Sequence, residues 1–483
     1  LPPSARRRDI GGILTVAAIL FLPSIPASAS VSEAVPLTEI GTDASTGASG
    51  QHGTQAGPDT YQWGTTIVAA QQAGRFADGG ASGIAYAISA DNGATWAKGV
   101  LPGITTHGGG PFARVSDPSV AFDARNDTWL ISSLALTDAG GVRGAAVLTS
   151  RSTDGGVTWG APVTTAVADG GDLDKGWIVC DNTEDSPFYG RCYTAFDDAA
   201  AGNAIKVARS SDGGLTWAVT GTSATGLGGQ PVVRPNGAVV VPYLSDDGGI
   251  RSFRSRDGGT SWSASVLVSD VQRHPVAGGL RALPLPSAET DATGTVYVVW
   301  HDCRFQFACA GNDIVLSKSA TGNAWSEVLR VTGDGGDHFI PGLGVDRSSS
   351  GGKARLALAY HRYPEAACAP ATCRLTVAYT SSLNGGASWS PPVELQGPMA
   401  LGWLAGTTDG RLAGDYISTS VVPGGSAFPA FTVASAPSGG TFNVRTHTVT
   451  GGLPITGGPP PLVAIEAPIA TGDPRPALPL TAR

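Results

Sequence analysis

Residues 152–159 read Ser-Thr-Asp-Gly-Gly-Val-Thr-Trp, and the same pattern, Ser-x-Asp/Asn-x-Gly-x-Thr/Ser-Trp, returns at 89–96, 210–217, 255–262 and 382–389. Its acid or amide positions, Asp91, Asp154, Asp212, Asp257 and Asn384, are 63, 58, 45 and 127 residues apart, the last interval being near twice the others. A worn sixth copy lies inside that interval: residues 317–325, SKSATGNAW, keep the Ser, Gly and Trp and lose the acid. In such a unit the Asp or Asn side chain hydrogen-bonds nearby backbone, the Gly supplies positive φ, and the Trp anchors the turn in the apolar layer beneath. The octapeptide is therefore read as a hairpin device with structural acids; sugar stacking by its Trp residues is the lesser alternative. Self-similarity at this period marks an array of supersecondary units, a propeller or a solenoid.

Composition agrees with many tight turns. Gly accounts for 68 of 483 residues, about twice the usual ~7% share. Only 14% of residues are charged and the formal net charge is −8, which argues against nucleic acid or an anionic membrane surface as partner. Arg6, Arg7 and Arg8 precede an apolar run from Ile10 to Leu22 and then Ala27-Ser28-Ala29, the plan of a secretory signal peptide over 1–29 and too short for a spanning helix. The expectation is a secreted, extracellular, monomeric protein. Six cysteines form three close couples, Cys180 with Cys192, Cys303 with Cys309, and Cys368 with Cys373. Of the 15 connectivities open to six cysteines, local pairing in an exported chain is favoured. Zinc is the rival reading, but the spacings are irregular and no His pair sits beside them, so neither metal nor cofactor is expected.

From the boxes outward, β-rich apolar runs alternate with Gly, Asp and Asn turns and no long 3.6-residue period interrupts them, so the class is all-β. Around the second box the unit reads SDPSVAFD (116–123), TWLISSLAL (128–136), GAAVLTS (144–150), box, APVTTAV (161–167). A last set without a box spans 415–449 and lacks an outer strand, which the stretch Val35 to Ile40 would supply to close a ring and cover its pairing edges. The expected organisation is a flexible N-terminal segment over 30–56, a single propeller of six or seven four-stranded blades over 57–450, and a Pro-rich disordered tail over 451–483. Within that tail, Leu453-Pro-Ile-Thr-Gly457 has the form of a sortase signal, but the apolar span such a signal needs is missing after it.

Inner strands of a propeller line the central channel, and polar residues recur where those strands begin: Asp59, Tyr61, Asp117, Asp174, Lys175, Gln230, Arg281, Asp337, His338, Asp415 and Tyr416. Taken singly, each is as readily a turn cap or loop partner. As a ring they form a convergent polar group in a concave site, the starting hypothesis for binding or catalysis.

The octapeptide resembles the Asp box, or bacterial neuraminidase repeat, of the sialidase superfamily, where each box joins the third and fourth strands of a propeller blade away from the central pocket. The segments DTYQWGTTIVAA (59–70), ARVSDPSVAFD (113–123), DKGWIVCDN (174–182), GLGGQPVV (226–233), VVWHDCRF (298–305), NDIVLS (312–317), DHFIPGLGVD (337–346) and GDYISTS (414–420) are similar to those of secreted bacterial sialidase-like proteins. The resemblance implies a glycoside hydrolase acting on terminal sugars of extracellular glycans, sialic acid among them. Such enzymes hold the substrate carboxylate with three arginines, use a Tyr activated by a Glu as nucleophile, and use an Asp as acid/base; paired guanidinium donors suit a carboxylate. This chain has no Phe/Tyr-Arg-Ile/Leu-Pro motif near the start of the mature sequence; Arg114, in PFARVSDP, is the nearest substitute. On that basis Tyr416 is the candidate nucleophile, with Asp415 beside it, Asp117 or Asp59 as acid/base, and Arg281 with Arg114 or Arg411 as carboxylate clamp. Lys175 and His338 complete the mouth. The competing reading is a non-catalytic propeller that binds carbohydrate or protein through the same mouth, since fold does not decide activity.

Overall fold

The computed structural model describes residues 34–43 and 50–458, so the expected signal peptide and the chain beyond residue 458 lie outside the described residues. Contacts separate Leu1–Ala34 from Val35–Arg483. The second of these units is all-β, with only short 3-10 turns among the described residues. No helix there is long and apolar enough to cross a membrane.

Among the described residues the strands fall into seven antiparallel sets of four, apart from a two-stranded hairpin of Gly406–Thr407 with Gly410–Arg411. The second set is typical: Arg114–Asp123, Thr128–Thr137, Arg143–Ser152 and Val163–Val167 pair in sequence order. Short β-branched runs buried on both faces supply these strands; Val239–Ser245, VVVPYLS, is buried throughout. Every third strand of the first six sets ends on a box serine, at Ser89, Ser152, Ser210, Ser255, Ser319 and Ser382. The worn copy is thus aligned on Ser319 rather than Ser317. Its Gly322 amide donates to Ser319 Oγ three residues back, where Gly156 reaches four back to Ser152, so one residue has been lost along with the acid.

The chain ends meet in the seventh set. Ser418–Val421, Ala427–Ser438 and Thr441–Val449 take their fourth strand from Leu37–Glu39, with Leu37 opposite Val449. The first long strand begins at Gln51, ahead of the boundary expected near Gly57. Residues 451–458 also depart from the expected tail: Leu453 pairs with Ala427, Leu453 and Ile455 are buried, and the Thr456 amide donates to Ser381 Oγ. Apolar side chains fall on alternate residues there, which lets the segment pack as an edge despite its proline.

Two series of bonds stitch neighbouring sets. In one, a cation on the third strand donates to the backbone of the next box: Arg151 to Gly213, Arg209 to Gly259, Arg254 to Thr321 and Lys318 to Gly385. In the other, the first strands lie side by side in order, and Ser418–Val421 lies against Gln51–Trp63. Side chains of one first strand hold the backbone of the next: Asp59 accepts from the Val120 amide, Ser119 from Ile178, Gln230 from Ala288, and Ser287 from Leu343. Ser420 Oγ donates to Thr60 Oγ1 across the junction of the last and first sets. Between the sets lie fully buried side chains such as Trp300, Tyr193, Tyr243 and Phe339, each worth on the order of 1.5–3 kcal/mol in area removed from water.

Three disulfides, Cys180–Cys192, Cys303–Cys309 and Cys368–Cys373, close local loops as the spacing suggested.

Candidate functional site

Four first strands carry a bulge near their start, one of them at Ile340, and the other three bear on the candidate site. Gly57, Asp117 and Lys175 each adopt left-handed backbone, with φ of 58°, 45° and 49°, just where pairing with the second strand slips. A bulge re-aims the side chain it carries, and non-Gly residues at positive φ persist where surrounding contacts over-determine them. Asp117 and Lys175 are both buried, and Lys175 Nζ lies 3.8 Å from Asp117 Oδ1.

The remaining groups arrive from two long connections, 271–286 and 401–417. These pair with each other: the Arg281 amide donates to the Arg411 carbonyl at 2.9 Å, and Leu280 bridges Arg411. Gly414, at φ 134°, packs so tightly on Gly57 that a Cβ would come within 2.9 Å of the Gly57 nitrogen, so a larger residue would push the 412–417 stretch off the first strand. Asp415 and Tyr416 come directly after it. Asp415 Oδ2 accepts from Arg281 Nη2 at 2.6 Å and, in a still shorter contact, from Lys175 Nζ. The Tyr416 hydroxyl donates to the Pro118 carbonyl at 2.8 Å, and the Trp177 ring meets Tyr416 edge-on at 4.9 Å.

These groups line or lie beside a concavity whose walls include Lys175, Trp177, Gly229, Gln230, Pro286, Ser287, Pro341, Asp415 and Tyr416. Trp177 is partly exposed there.

Burial drives the electrostatics. It works to neutralise Asp415, but Arg281 and Lys175 outweigh it and hold the carboxyl well below its ordinary value. It works against the charge of Lys175 too, and Asp117, Asp415 and Asp174 overcome it, so that amine is held protonated. Burial pushes Asp174 up to about 7. Burial and then Asp174 push Asp197, its cross-strand partner, well up, and neither oxygen of Asp197 has a hydrogen-bond partner among the described residues. Burial, followed by Asp117, Asp59 and Asp415, raises the Tyr416 phenol well above its ordinary range. Burial and Arg281 bring Arg75 down to about 10.

Asp117, Lys175, Arg281, Asp415 and Tyr416 are thus brought together. Asp59 touches the group through Tyr416 and is pushed up to about 7 by burial, yet its carboxylate holds Val120 in the stitching series of Ser119, Gln230 and Ser287. The other three side chains make their contacts elsewhere. Arg114 donates to Asp78 and the Gly79 carbonyl and lies over the Phe76 ring, so it secures a turn of the first set. The Arg411 guanidinium donates to the Leu404 carbonyl while its own carbonyl positions Arg281. His338 is buried 2.7 Å from Asp334 and against the Tyr360 ring. Arg75, Asp197 and Trp177 were not singled out from sequence. The first two sit at the ends of second strands, which return antiparallel to the level where first strands begin, and a register-aware reading of each hairpin would have found them.

The boxes hold a different chemistry. Asp154 Oδ1 accepts from Ser152 Oγ at 2.7 Å and the Thr158 amide at 2.9 Å, the Trp159 indole donates to the Gly156 carbonyl, and the Thr158 hydroxyl leads in holding the Asp154 carboxyl down to about 2.

No family model matches the sequence, and no curated protein does. Among solved structures the chain is similar to the Hadza microbial sialidase Hz136, at 13% identity and TM-score 0.45, with 83% of this chain and 66% of that one covered, so it spans just under two thirds of that protein. It is similar to the leech intramolecular trans-sialidase at 12% identity and TM-score 0.45, over 67% of each chain. A Dyadobacter fermentans protein of unknown function is similar at 18% identity and TM-score 0.48, over 73% of this chain and all of that one (100%).

Proposed function

We propose that the seven sets close into a single secreted β-propeller whose central cavity binds a terminal sugar of an extracellular glycan. One observation carries this reading: a partly exposed Trp177 beside a convergent, preformed group of Lys175, Asp415 and Tyr416 in one concave wall. Apolar rings that face a sugar, with a few fixed polar groups for its hydroxyls, are the ordinary furniture of a small-ligand site. Closure is supported by the stitching of first strands and the latch of Leu37–Glu39, and export by the three disulfides.

Binding is preferred over sialidase chemistry for a physical reason. A Tyr nucleophile must lose its proton and the clamping arginines must face the ligand. Here the Tyr416 phenol is held neutral and committed to Pro118, and Asp415 already takes the charge of Arg281. A second reading, a glycoside hydrolase of two-carboxyl type, is favoured by one contrast: Asp174 is pushed up to about 7 while Asp415 is held ionised, the divergence expected of an acid and its counterpart.

A glycan array probed with purified protein, run beside a fluorogenic sialoside and a panel of aryl glycosides, separates the readings. Saturable retention of defined glycans without turnover is expected. Turnover abolished by Asp174→Asn would favour the hydrolase, and a protein that neither retains nor cleaves any glycan would refute both.

A further inference from the structure

We infer that Asp415 is a built-in carboxylate that sets the specificity of the cavity, occupying the position an acidic ligand would need and leaving the site selective for uncharged sugars. The inference rests on the glycan-binding reading and names the substrate class. An ammonium and a guanidinium converge on one oxygen of Asp415, from Lys175 and from Arg281 at 2.6 Å, and both cations are buried. Two such donors aimed at one point are what recognition of a ligand carboxylate requires. The chain fills that point itself. Because Asp415 is tethered, it competes at an effective concentration far above that of a free acid. Displacing it would leave a buried charge with no partner, which is strongly unfavourable.

A second observation gives the other half of the specificity. Asp415 Oδ1 is buried and accepts no hydrogen bond among the described residues, in a residue that contributes to the cavity wall. A buried acceptor with no donor is a costly group that a ligand hydroxyl satisfies and a second carboxylate does not. An incoming ligand therefore meets two cations already committed to a carboxylate, with one buried acceptor of that carboxylate unsatisfied. Arg281 also has the exposed Asp409 at 3.7 Å and Lys175 has Asp117 at 3.8 Å, so removing the Asp415 charge leaves each cation a weaker partner and the fold a route to tolerate the change.

The test compares wild type with Asp415→Asn, which keeps the shape and removes the charge, each with melting behaviour recorded first. Methyl β-glucoside and methyl β-glucuronide are titrated by calorimetry, and acetate is added as a sugar-free carboxylate in thermal-shift measurements. Wild type is expected to prefer the glucoside by at least tenfold and to show no stabilisation by acetate. Asp415→Asn is expected to gain at least tenfold for the glucuronide and to be stabilised by acetate, and Asp415→Asn/Lys175→Met is expected to lose both gains. Wild type preferring the glucuronide, or a folded Asp415→Asn that responds to acetate no more than wild type, overturns the inference. If Asp415→Asn does not fold, the wild-type preference decides alone. A wild type that binds neither glycoside counts against the glycan reading, while the acetate response still decides the role of Asp415.

Discussion

The box hairpins and the central cluster both depend on aspartates, and they use them in opposite ways. At a box, Asp154 is exposed, satisfied within its own octapeptide, and held down to about 2. At the centre, Asp174 is buried, faces partners from other sets, and is pushed up to about 7. The first arrangement is local and repeats with the sequence. The second exists only once several sets have been placed side by side, so its energetics belong to the assembled sheet array. Structural aspartates here are those that water and near neighbours keep ionised. Asp174 and Asp197, pushed up by burial beside Lys175, mark a place where the chain bears the cost of burial, a cost of the kind associated with functional sites.

The largest effect that would sharpen this contrast is expected at Lys175. Lys175→Met leaves Asp415 with Arg281 alone and strips Asp117 and Asp174 of their nearest cation. Removing one partner from a buried set of charges should cost about 3–5 kcal/mol, read from urea unfolding midpoints. A loss below about 1 kcal/mol would mean the cluster is solvated like a surface ion pair.

A smaller effect lies in the pH dependence. Asp174 has its folded value raised from 3.8 to about 7, so its contribution to stability is complete below pH 3.8 and is lost as pH rises through 7. His301 and His361 act the other way: burial lowers them from 6.5 to about 3 and 4, so their contribution is complete above 6.5 and is lost as pH falls toward those values. Asp174→Asn should therefore gain stability relative to wild type as pH rises from 4 to 8. A difference that stays flat over that range would place Asp174 in an ordinary solvated environment.

The smallest effect is expected at a box. Asn384 already does there what the acids do elsewhere, its Oδ1 accepting from the Ser388 amide and its Nδ2 donating to Ser388 Oγ. Asp154→Asn should leave the urea unfolding midpoint close to that of wild type and the pH profile between 4 and 8 unchanged. A loss of stability as large as that of Lys175→Met would show that charge, and not geometry, holds the hairpin.

Legibility in the sequence divides along the same line. The box period located every third strand of the first six sets, and Val35 to Ile40 was identifiable as the strand that completes the last set. The period could not show that the worn copy is one residue short, because the Ser317 and Ser319 alignments both keep Gly322 and Trp325. Nor did composition reveal that Leu453 and Ile455 pack inward, since proline content outweighed their alternation. At the centre, residues at first-strand starts were found by position in the unit. His338 satisfied the same rule and makes its contacts elsewhere, because a residue's place along a strand does not say to which side its side chain turns; Arg114, chosen as the nearest substitute for an absent motif, secures a turn instead. Arg75 and Asp197 escaped because their hairpins had to be paired before they came level with the cluster.

The central claim, that the cavity beside Trp177 is the ligand site, is tested most directly by measuring the affinity of wild type and Trp177→Ala for the glycan that wild type retains. The account predicts at least a tenfold loss with the melting temperature within a few degrees of wild type, since the ring is partly exposed and its edge contact to Tyr416 is one of aromatic packing. Unchanged affinity in a folded Trp177→Ala protein would contradict it and move the site away from the centre.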